Sequence, residues 1–425
     1  MMKRSTQTIE RALYSALVLS WIATAGWSQS LAWLGTLGSN GGAAYGVSAD
    51  GSVVIGWSAY AVGRYRAFRW ANDVMQDLGT LDGAESWAHG VSADGSVVVG
   101  VALNDVGQVR AFRWTAGMMQ DLGTLGGGGS QAWGVSADGS VVIGWARNAT
   151  GQGRAFRWTA ALGMRDLGTL GGDHSVANGV SADGSVVVGG AEMAPNQLRA
   201  FRWRLTDPNT GAGVMQDLGT LGGELHSWAR GVSADGSIVV GWSYNITMQL
   251  RAFRWRLTDP NTGAGVMQDL GTLGGNTSRA WGVSADGTIV VGDAHDAANQ
   301  PRAFRWRLTD PNTGAGVMED LNTTYANLLT PGSYLERAYA ISPNGRYIVG
   351  GGYNAATRRY EAFLLDTGFP PRGDVDRNGC VDDADLLAVL LAFGGRGYRN
   401  EDLNWDGIVD DADLLQVLFH FGSGC

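Results

Sequence analysis

Several things are scarce in this 425-residue chain, and each absence narrows what it can be. Charged residues make up only 17% of it, and no basic patch or stripe appears. That excludes the electrostatic footprint of a nucleic-acid binder. Past the first thirty residues no apolar run reaches the roughly 20 residues that a membrane-spanning helix needs. No membrane span is therefore expected in the mature chain. No nucleophile motif and no phosphate-binding loop is present. Runs that favour long helices are confined to the two ends. The 66 glycines follow no Gly-X-Y period, which excludes collagen. Cysteine is nearly missing: the only two are Cys380 and Cys425.

What is there begins with an export-type leader. Lys3, Arg4 and Arg11 make a basic start, residues 12–25 are mostly apolar, and Ala23-Thr24-Ala25 offers a small-residue cleavage site. Residues 1–30 are expected to be a signal peptide cut between 25 and 30. The mature protein would then be secreted or at the surface of a bacterial cell.

From residue 31 to 366 the chain repeats itself. The turn Ser-Ala-Asp-Gly places its Asp at 50, 94, 138, 183, 235 and 286, and Asn344 takes that place in a seventh copy. Between the turns recur Arg-Ala-Phe-Arg-Trp, as at 110–114, and Asp-Leu-Gly-Thr-Leu-Gly-Gly, as at 121–127. An inserted Arg-Leu-Thr-Asp-Pro-Asn-Thr-Gly-Ala-Gly lengthens three units, at 204–213, 256–265 and 307–316. Pro, Asn and Gly make it an elongated hairpin turn. One unit reads as four strands: one ending at Gly90-Val91-Ser92, then Ser96–Gly100, Arg110–Trp114 and Met119–Leu125. Asp-Gly is a strong hairpin signal, and four short strands per 40–50 residues is the blade of a β-propeller. The architecture expected is all-β, with seven blades.

The chain opens on a fourth-strand motif, Leu34–Leu37, and its last unit ends on a third strand, Glu361–Leu365. The N-terminal strand at residues 31–37 should therefore close the last blade. Six units pair an Arg of the third strand with an Asp opening the fourth: Arg69/Asp77, Arg113/Asp121, Arg157/Asp166, Arg202/Asp217, Arg254/Asp269 and Arg305/Asp320. In the clasped blade these positions are Leu364 and Trp33. Joint loss of both charges is what a cross-strand pair would show.

These recurring motifs resemble the HAF family of extracellular repeats, with Arg-Ala-Phe where the family has His-Ala-Phe. The resemblance covers most of 31–366 and implies an exported bacterial repeat protein, with no activity and no catalytic residues attached. Residues that recur in nearly every unit read as structural. Candidates for chemistry are the ones that do not recur: Glu85, His89, Asp173, His174, Glu224 and His226, in loops expected on one face of the disc. Paired carboxylates there could serve glycoside hydrolysis, and His174 with His226 could hold a metal. Trp87, Trp133, Trp228 and Trp281 recur near the hairpin and read as core, or as a face for a polysaccharide or protein ligand.

The C-terminal segment carries a different chemistry. Residues 374–425 hold 11 acidic side chains against 3 arginines, so nearly all of the net charge of −9 sits there. After the Pro370-Pro371 linker at 367–373 comes a 12-residue loop with oxygen donors at positions 1, 3, 5, 9 and 12 and Gly at 6: Asp374, Asp376, Asn378, Asp382 and Asp385, with the backbone carbonyl of Cys380 at position 7. Asp402, Asn404, Asp406, Ile408, Asp410 and Asp413 repeat the pattern 28 residues on. That is the EF-hand type of calcium loop, each followed by an apolar helix; two Ca2+ ions are expected. Cys380 and Cys425 can bridge, or leave a free thiol at the terminus.

This tandem closely resembles a type I dockerin, an all-α module. The resemblance implies a cohesin-like protein partner, met through loop positions 10 and 11, here Asp383-Ala384 and Asp411-Ala412. The best-known members carry hydroxyl residues there, so their partner code does not carry over. Leu390-Leu391 and Leu418-Phe419 stand where members often have basic residues, which suggests an apolar docking face. The combined expectation is an exported, non-enzymatic binding or structural propeller tethered by a calcium-dependent module. Its rival is a secreted polysaccharide-active enzyme, a glycoside hydrolase or lyase carried by the same module.

Overall fold

The structure, a computed structural model, describes residues 29–194, 197–376 and 378–425, with the side chains of 194 and 223–225 left aside. Of the proposed signal segment, residues 1–28 lie outside the described residues. Seven four-stranded antiparallel sheets form the seven blades of a β-propeller. The second blade is typical, with strands Asp82–Val91, Val97–Asn104, Val109–Thr115 and Met118–Asp121 from the axis outward. First strands of neighbouring blades contact one another all round the ring, the seventh against the first included.

The clasp is present. Ser30–Trp33 pairs antiparallel with Arg359–Asp366 and supplies the fourth strand of blade 7. The pairing argument that pointed to it is corrected by one strand position. Phe68 lies opposite Asp77 and Arg69 opposite Gln76, so alternation puts Arg69 and Asp77 on opposite faces. In four blades the arginine near the Asp is the earlier one of the motif: Arg66–Asp77 at 3.7 Å, Arg110–Asp121 at 3.5 Å, Arg154–Asp166 and Arg199–Asp217 at 3.9 Å; in blade 6 the earlier arginine, Arg302, pairs with Asp296 at 3.0 Å instead. In blade 7 that place is Glu361, and Trp33 lies opposite Phe363. Both charges of the true pair have still changed together.

The later arginine ties blades instead. Its Nε donates to the turn glycine carbonyl of the next blade: Arg69 to Gly95, Arg113 to Gly139, Arg157 to Gly184, Arg202 to Gly236 and Arg254 to Gly287, at 2.9–3.3 Å. Arg305 turns to Glu319 and the Tyr325 hydroxyl. A buried serine makes a second tie. Ser86 Oγ accepts from Ala67 N at 3.0 Å and donates to Gly79 O at 2.6 Å. Ser130, Ser175, Ser227 and Ser278 repeat it. At the axis, Ala49, Ala93, Ala137, Ala182, Ala234 and Ala285 each donate N–H to the carbonyl of the counterpart in the next blade, the last to Pro343. Proline has no N–H, so that backbone ring stays open between blades 7 and 1.

Apolar burial fills the space between sheets. Val53, Ile55 and Ala67 of blade 1 pack on Ala88, Val98 and Phe112 of blade 2. The seven third-strand phenylalanines, Phe68 to Phe363, are fully buried, each such side chain contributing about 1.5–3 kcal/mol. The fourth strand is shorter than expected and ends at Asp121. The Asp121 carboxylate caps Gly123 N–H at 2.8 Å, and Gly123 takes φ +78°. That left-handed residue swings the chain toward the next blade.

Beyond the ring, two helices, α1 (Asp383–Ala392) and α2 (Asp411–His420), pack around five buried valines, Val375, Val381, Val389, Val409 and Val417. The 367–373 linker is laid against blade 7: Arg346 Nη1 donates to Pro370 O at 3.3 Å, and Arg372 donates to the Tyr347 hydroxyl at 2.7 Å.

Candidate functional site

The first strand of every blade carries a β-bulge, and the bulged residue varies among five types while its neighbours are nearly constant. In blade 2, Ala88 pairs with Gly100 and Gly90 with Val99, leaving His89 as the extra residue. The same slip singles out Tyr45, Trp133, Asn178, Arg230, Trp281 and Tyr339. Bulges re-aim a side chain. Here they depend on the glycine opposite: a Cβ on Gly100 would lie 2.0 Å from Trp87 O. This explains the glycine ending each Val-Val-Gly run.

The seven bulged residues form a collar at one mouth of the central channel. With Arg279 and Arg337 they line a cavity of about 530 Å3. Below it runs a ring of Val47, Val91, Val135, Val180, Val232, Val283 and Ile341, and then the ring of alanines. The collar is nearly continuous aromatic surface. His89 lies between Tyr45 (ring centroids 5.5 Å apart) and Trp133 (4.3 Å); Tyr339 meets Tyr45 at 4.8 Å and Trp281 at 5.7 Å. Arg230 sits over Trp281 at 4.8 Å and over Trp228 at 5.6 Å, a favourable cation–π arrangement.

Acceptors at this mouth are already engaged. Asp293, almost fully buried, accepts from Trp281 Nε1 at 2.5 Å and from Arg279 Nη1 at 3.4 Å. Arg337 pairs with Glu336 at 3.2 Å and donates to the Tyr339 hydroxyl at 3.4 Å. The Tyr45 hydroxyl accepts from Trp57 Nε1 at 2.9 Å. Arg230 has no carboxylate partner among the described residues; it donates to Asn178 Oδ1 at 3.4 Å. Burial and the charge of Arg279 pull its pKa down to about 10. Burial pulls His89 down to about 3, so it is neutral at pH 7.

Of the six loop candidates, only His89 reaches this cavity. His174 Nδ1 accepts from Gly153 N–H and His226 Nδ1 from Leu198 N–H, both at 3.1 Å. Each thus has its Nδ1 engaged by the neighbouring blade's backbone. Asp173 accepts from Gln152 at 2.6 Å. Glu85 is half-buried and, like Asp173, does not line the cavity; the Glu224 side chain lies outside the described residues. Trp133 and Trp281 belong to the collar rather than the core. Trp87 and Trp228 each stand two residues before the collar position, Trp87 against Tyr65 and Trp228 stacked on Trp242 at 6.1 Å. Tyr45, Asn178, Arg230 and Tyr339 were missed. The signal for them is one variable position inside an Ala-x-Gly-Val-Ser that six units keep and the seventh varies to Ala338-Tyr339-Ala340-Ile341-Ser342.

At the opposite mouth, Trp405 of the C-terminal module is buried against Ala49 and Ala93 and closes the channel. Tyr398 stacks on it at 6.2 Å, nearly parallel. Trp405 belongs to the second acidic loop and has φ +59°.

The two acidic loops share one wiring. In the first, Asp385 Oδ1 accepts from Val375 N–H at 2.6 Å, its Oδ2 from Asp382 N–H at 2.9 Å, and Asp374 Oδ2 from Gly379 N–H at 3.0 Å. In the second, Asp413 Oδ1 accepts from Leu403 N–H at 2.7 Å, its Oδ2 from Asp410 N–H at 2.9 Å, and Asp402 Oδ2 from Gly407 N–H at 2.9 Å. Carboxylate oxygens of Asp374, Asp376 and Asp385 lie within 4.8 Å of one another; in loop two Asn404 stands where Asp376 does and Asp406 where Asn378 does, so the two loops carry the same number of carboxylates. Asp385, Asp402 and Asp413 are fully buried. Burial raises Asp402 to about 7, and the charges of Asp413 and Asp406 add to it. Asp382 and Asp410 act as helix N-caps, accepting from Ala384 and Ala412 N–H. Cys380 and Cys425 are joined by a disulfide, with Cα atoms 4.7 Å apart.

No protein-family model and no curated protein matches the chain. Among solved structures it is similar to TolB from Acinetobacter baumannii (11% identity, 84% of this chain and 68% of that one, TM-score 0.40). It is also similar to a putative TolB from Agrobacterium tumefaciens (14%, 77% and 90%, 0.41) and a putative 6-phosphogluconolactonase from Bacteroides uniformis (16%, 70% and 90%, 0.40).

Proposed function

We propose that this chain is an exported, non-enzymatic binding propeller, held in an extracellular or cell-surface assembly by a calcium-loaded, dockerin-like C-terminal module. The observation that carries the reading is the pair of loops with one hydrogen-bond wiring around buried carboxylates. Like charges crowded out of water are costly unless a cation joins them. The donors are all oxygen, which suits a hard divalent ion such as Ca2+. Asp374, Asp376, Asn378, Asp385 and the Cys380 carbonyl would hold one ion; Asp402, Asn404, Asp406, Asp413 and the Ile408 carbonyl would hold the other. A bound ion supplies the positive charge that these carboxylates lack and so couples metal binding to module folding.

The docking half of the reading rests on exposed apolar side chains. Leu387, Leu390 and Leu391 on α1 and Leu415, Leu418 and Phe419 on α2 face solvent, beside the exposed Asp383-Ala384 and Asp411-Ala412. Such a patch marks a protein-interaction surface, here for a cohesin-like partner. Titration calorimetry of the full chain with Ca2+ should give two ions per chain. Asp374→Ala and Asp402→Ala should each leave one. Capture of a partner from the native secretome should require Ca2+. A chain that binds no Ca2+, or a partner held equally well in a chelator, refutes the reading.

A further inference from the structure

We propose that the bulge collar binds the uronate end of an acidic glycan, its carboxylate on Arg230 and its sugar ring against the collar aromatics. The proposal deepens the recognition half of the function above, and it stands on the opposite mouth of the channel from the calcium loops.

The collar is a built site. Seven blades each spend a bulge, and a glycine to permit it, on aiming one side chain at the same opening. Around them six of the seven units hold Ala, Gly and Val constant, and at this position the repeat varies: Tyr45, His89, Trp133, Asn178, Arg230, Trp281 and Tyr339. A purely structural position would show the sameness of its neighbours Ala88 and Gly90. The cavity volume falls within the range of small-ligand sites, roughly 300–1,000 Å3.

The charge balance selects an anion. Facing the cavity or lying beside it are Arg230, Arg279 and Arg337, against Asp293 and Glu336. Arg279 is matched by Asp293 and Arg337 by Glu336, while Arg230 is stacked between indoles with one long hydrogen bond. A guanidinium carries five N–H donors in a fork that fits a carboxylate. Neutral His89 adds no competing charge.

The hydrogen-bond balance selects a sugar over a peptide. The carboxylate of Asp293 and the hydroxyls of Tyr45 and Tyr339 already accept. A peptide end would bring N–H donors in search of buried acceptors, at a cost for each left unmade. A uronate brings a carboxylate, a ring oxygen and hydroxyls that can all accept. Its C–H faces suit the rings of Trp133, Trp281 and Tyr339. Because Trp405 closes the far mouth, a polymer cannot thread through, so recognition is of a chain end.

The test is calorimetry on the full chain in Ca2+ buffer with galacturonate trisaccharide, galactose trisaccharide, a tripeptide with a free carboxylate, and acetate. The acidic trisaccharide should bind one per chain, at least tenfold tighter than each of the others. Arg230→Gln should weaken it at least tenfold with an unchanged melting temperature, and Trp133→Ala should weaken it as well. Affinity should stay flat between pH 5 and 8, since neither His89 nor Arg230 titrates there. If Arg230→Gln fails to fold, the acidic-to-neutral ratio on the unaltered chain decides. Equal binding of the neutral sugar, tighter binding of the peptide, acetate matching the glycan, or no binding each overturns the proposal. Chelation should leave glycan affinity within twofold while releasing any partner of the C-terminal module, so the two readings can fail separately.

Discussion

Arg154 and Arg157 stand three residues apart in one strand and do unrelated work. Arg154 approaches the exposed carboxylate of Asp166 at 3.9 Å, and pairs that reach solvent contribute about 0–1 kcal/mol. Arg157 Nε meets the Gly184 carbonyl of the next blade at 3.0 Å, and losing it strands a half-buried carbonyl. Arg157→Leu, which copies the residue at 364, is expected to cost about 1–3 kcal/mol in denaturant melts. Asp166→Asn keeps the cap on Gly168 N–H and removes only the charge, so it should stay within about 0.5 kcal/mol. Equal losses in the two variants would restore the cross-strand pair as the important one. The residue types were readable from the repeat, but their partners were not. A one-residue change in strand register exchanges the faces, and only the observed pairing of Phe68 with Asp77 settles which arginine faces which neighbour.

At the scale of elements, the clasp was legible because counting survives degenerate copies. Seven turns, seven fourth-strand motifs and a third strand at the end leave one arrangement that closes. The collar was not legible as a site, because a bulge needs two strands to exist, and His89 and Trp133 look like loop and core until their partners slip past them. The short fourth strand was hidden for a similar reason: Leu122 to Leu125 has strand-like composition, and Gly123 overrides it. The N-terminal strand gives the clearest element-level prediction. Without residues 31–38, the backbone edge of Arg359–Asp366 loses its partner and Phe363 loses its contact with Trp33. An open edge of this kind invites association between chains. The shortened protein should lose its single cooperative unfolding transition and should associate in analytical ultracentrifugation. An unchanged, single transition would show that blade 7 stands without the clasp.

Across the whole molecule, the junction of blades 6 and 7 lacks the arginine and serine ties, but one seam lacks all three, and the C-terminal module sits on it. Between blades 7 and 1 the three repeated ties are all missing: Leu364 replaces the arginine, Gly42 the serine, and Pro343 cannot donate to Ala49. What fills the gap is apolar contact of Leu34, Val47 and Phe68 with Tyr347 and Val349, and then the module. Arg372 bonds the Tyr347 hydroxyl, and the residues between module and ring include Ala49, Asp50, Asn344 and Tyr347, all at the seam. Trp405 joins this contact to the proposed calcium chemistry, since it is the fourth residue of the second loop, between Asn404 and Asp406. Burying an indole against the alanine ring stabilises docking by a few kcal/mol at most, and that gain requires the loop to hold φ +59° at Trp405, a conformation a bulky residue adopts only when its surroundings enforce it. A cation drawn in by Asp402, Asn404, Asp406 and Asp413 would enforce it. Amide exchange at 47–51 and 342–347, in the propeller and remote from either loop's carboxylates in sequence, should therefore speed up on chelation. It should speed up to the same extent in Trp405→Ala with Ca2+ present, and chelation should add nothing further in that variant. Exchange at the Ala137–Ala182 junction, which keeps its arginine and serine ties, should not move in either case. Exchange at the seam that ignores both chelation and Trp405→Ala would mean that the module rests on the ring without bracing it.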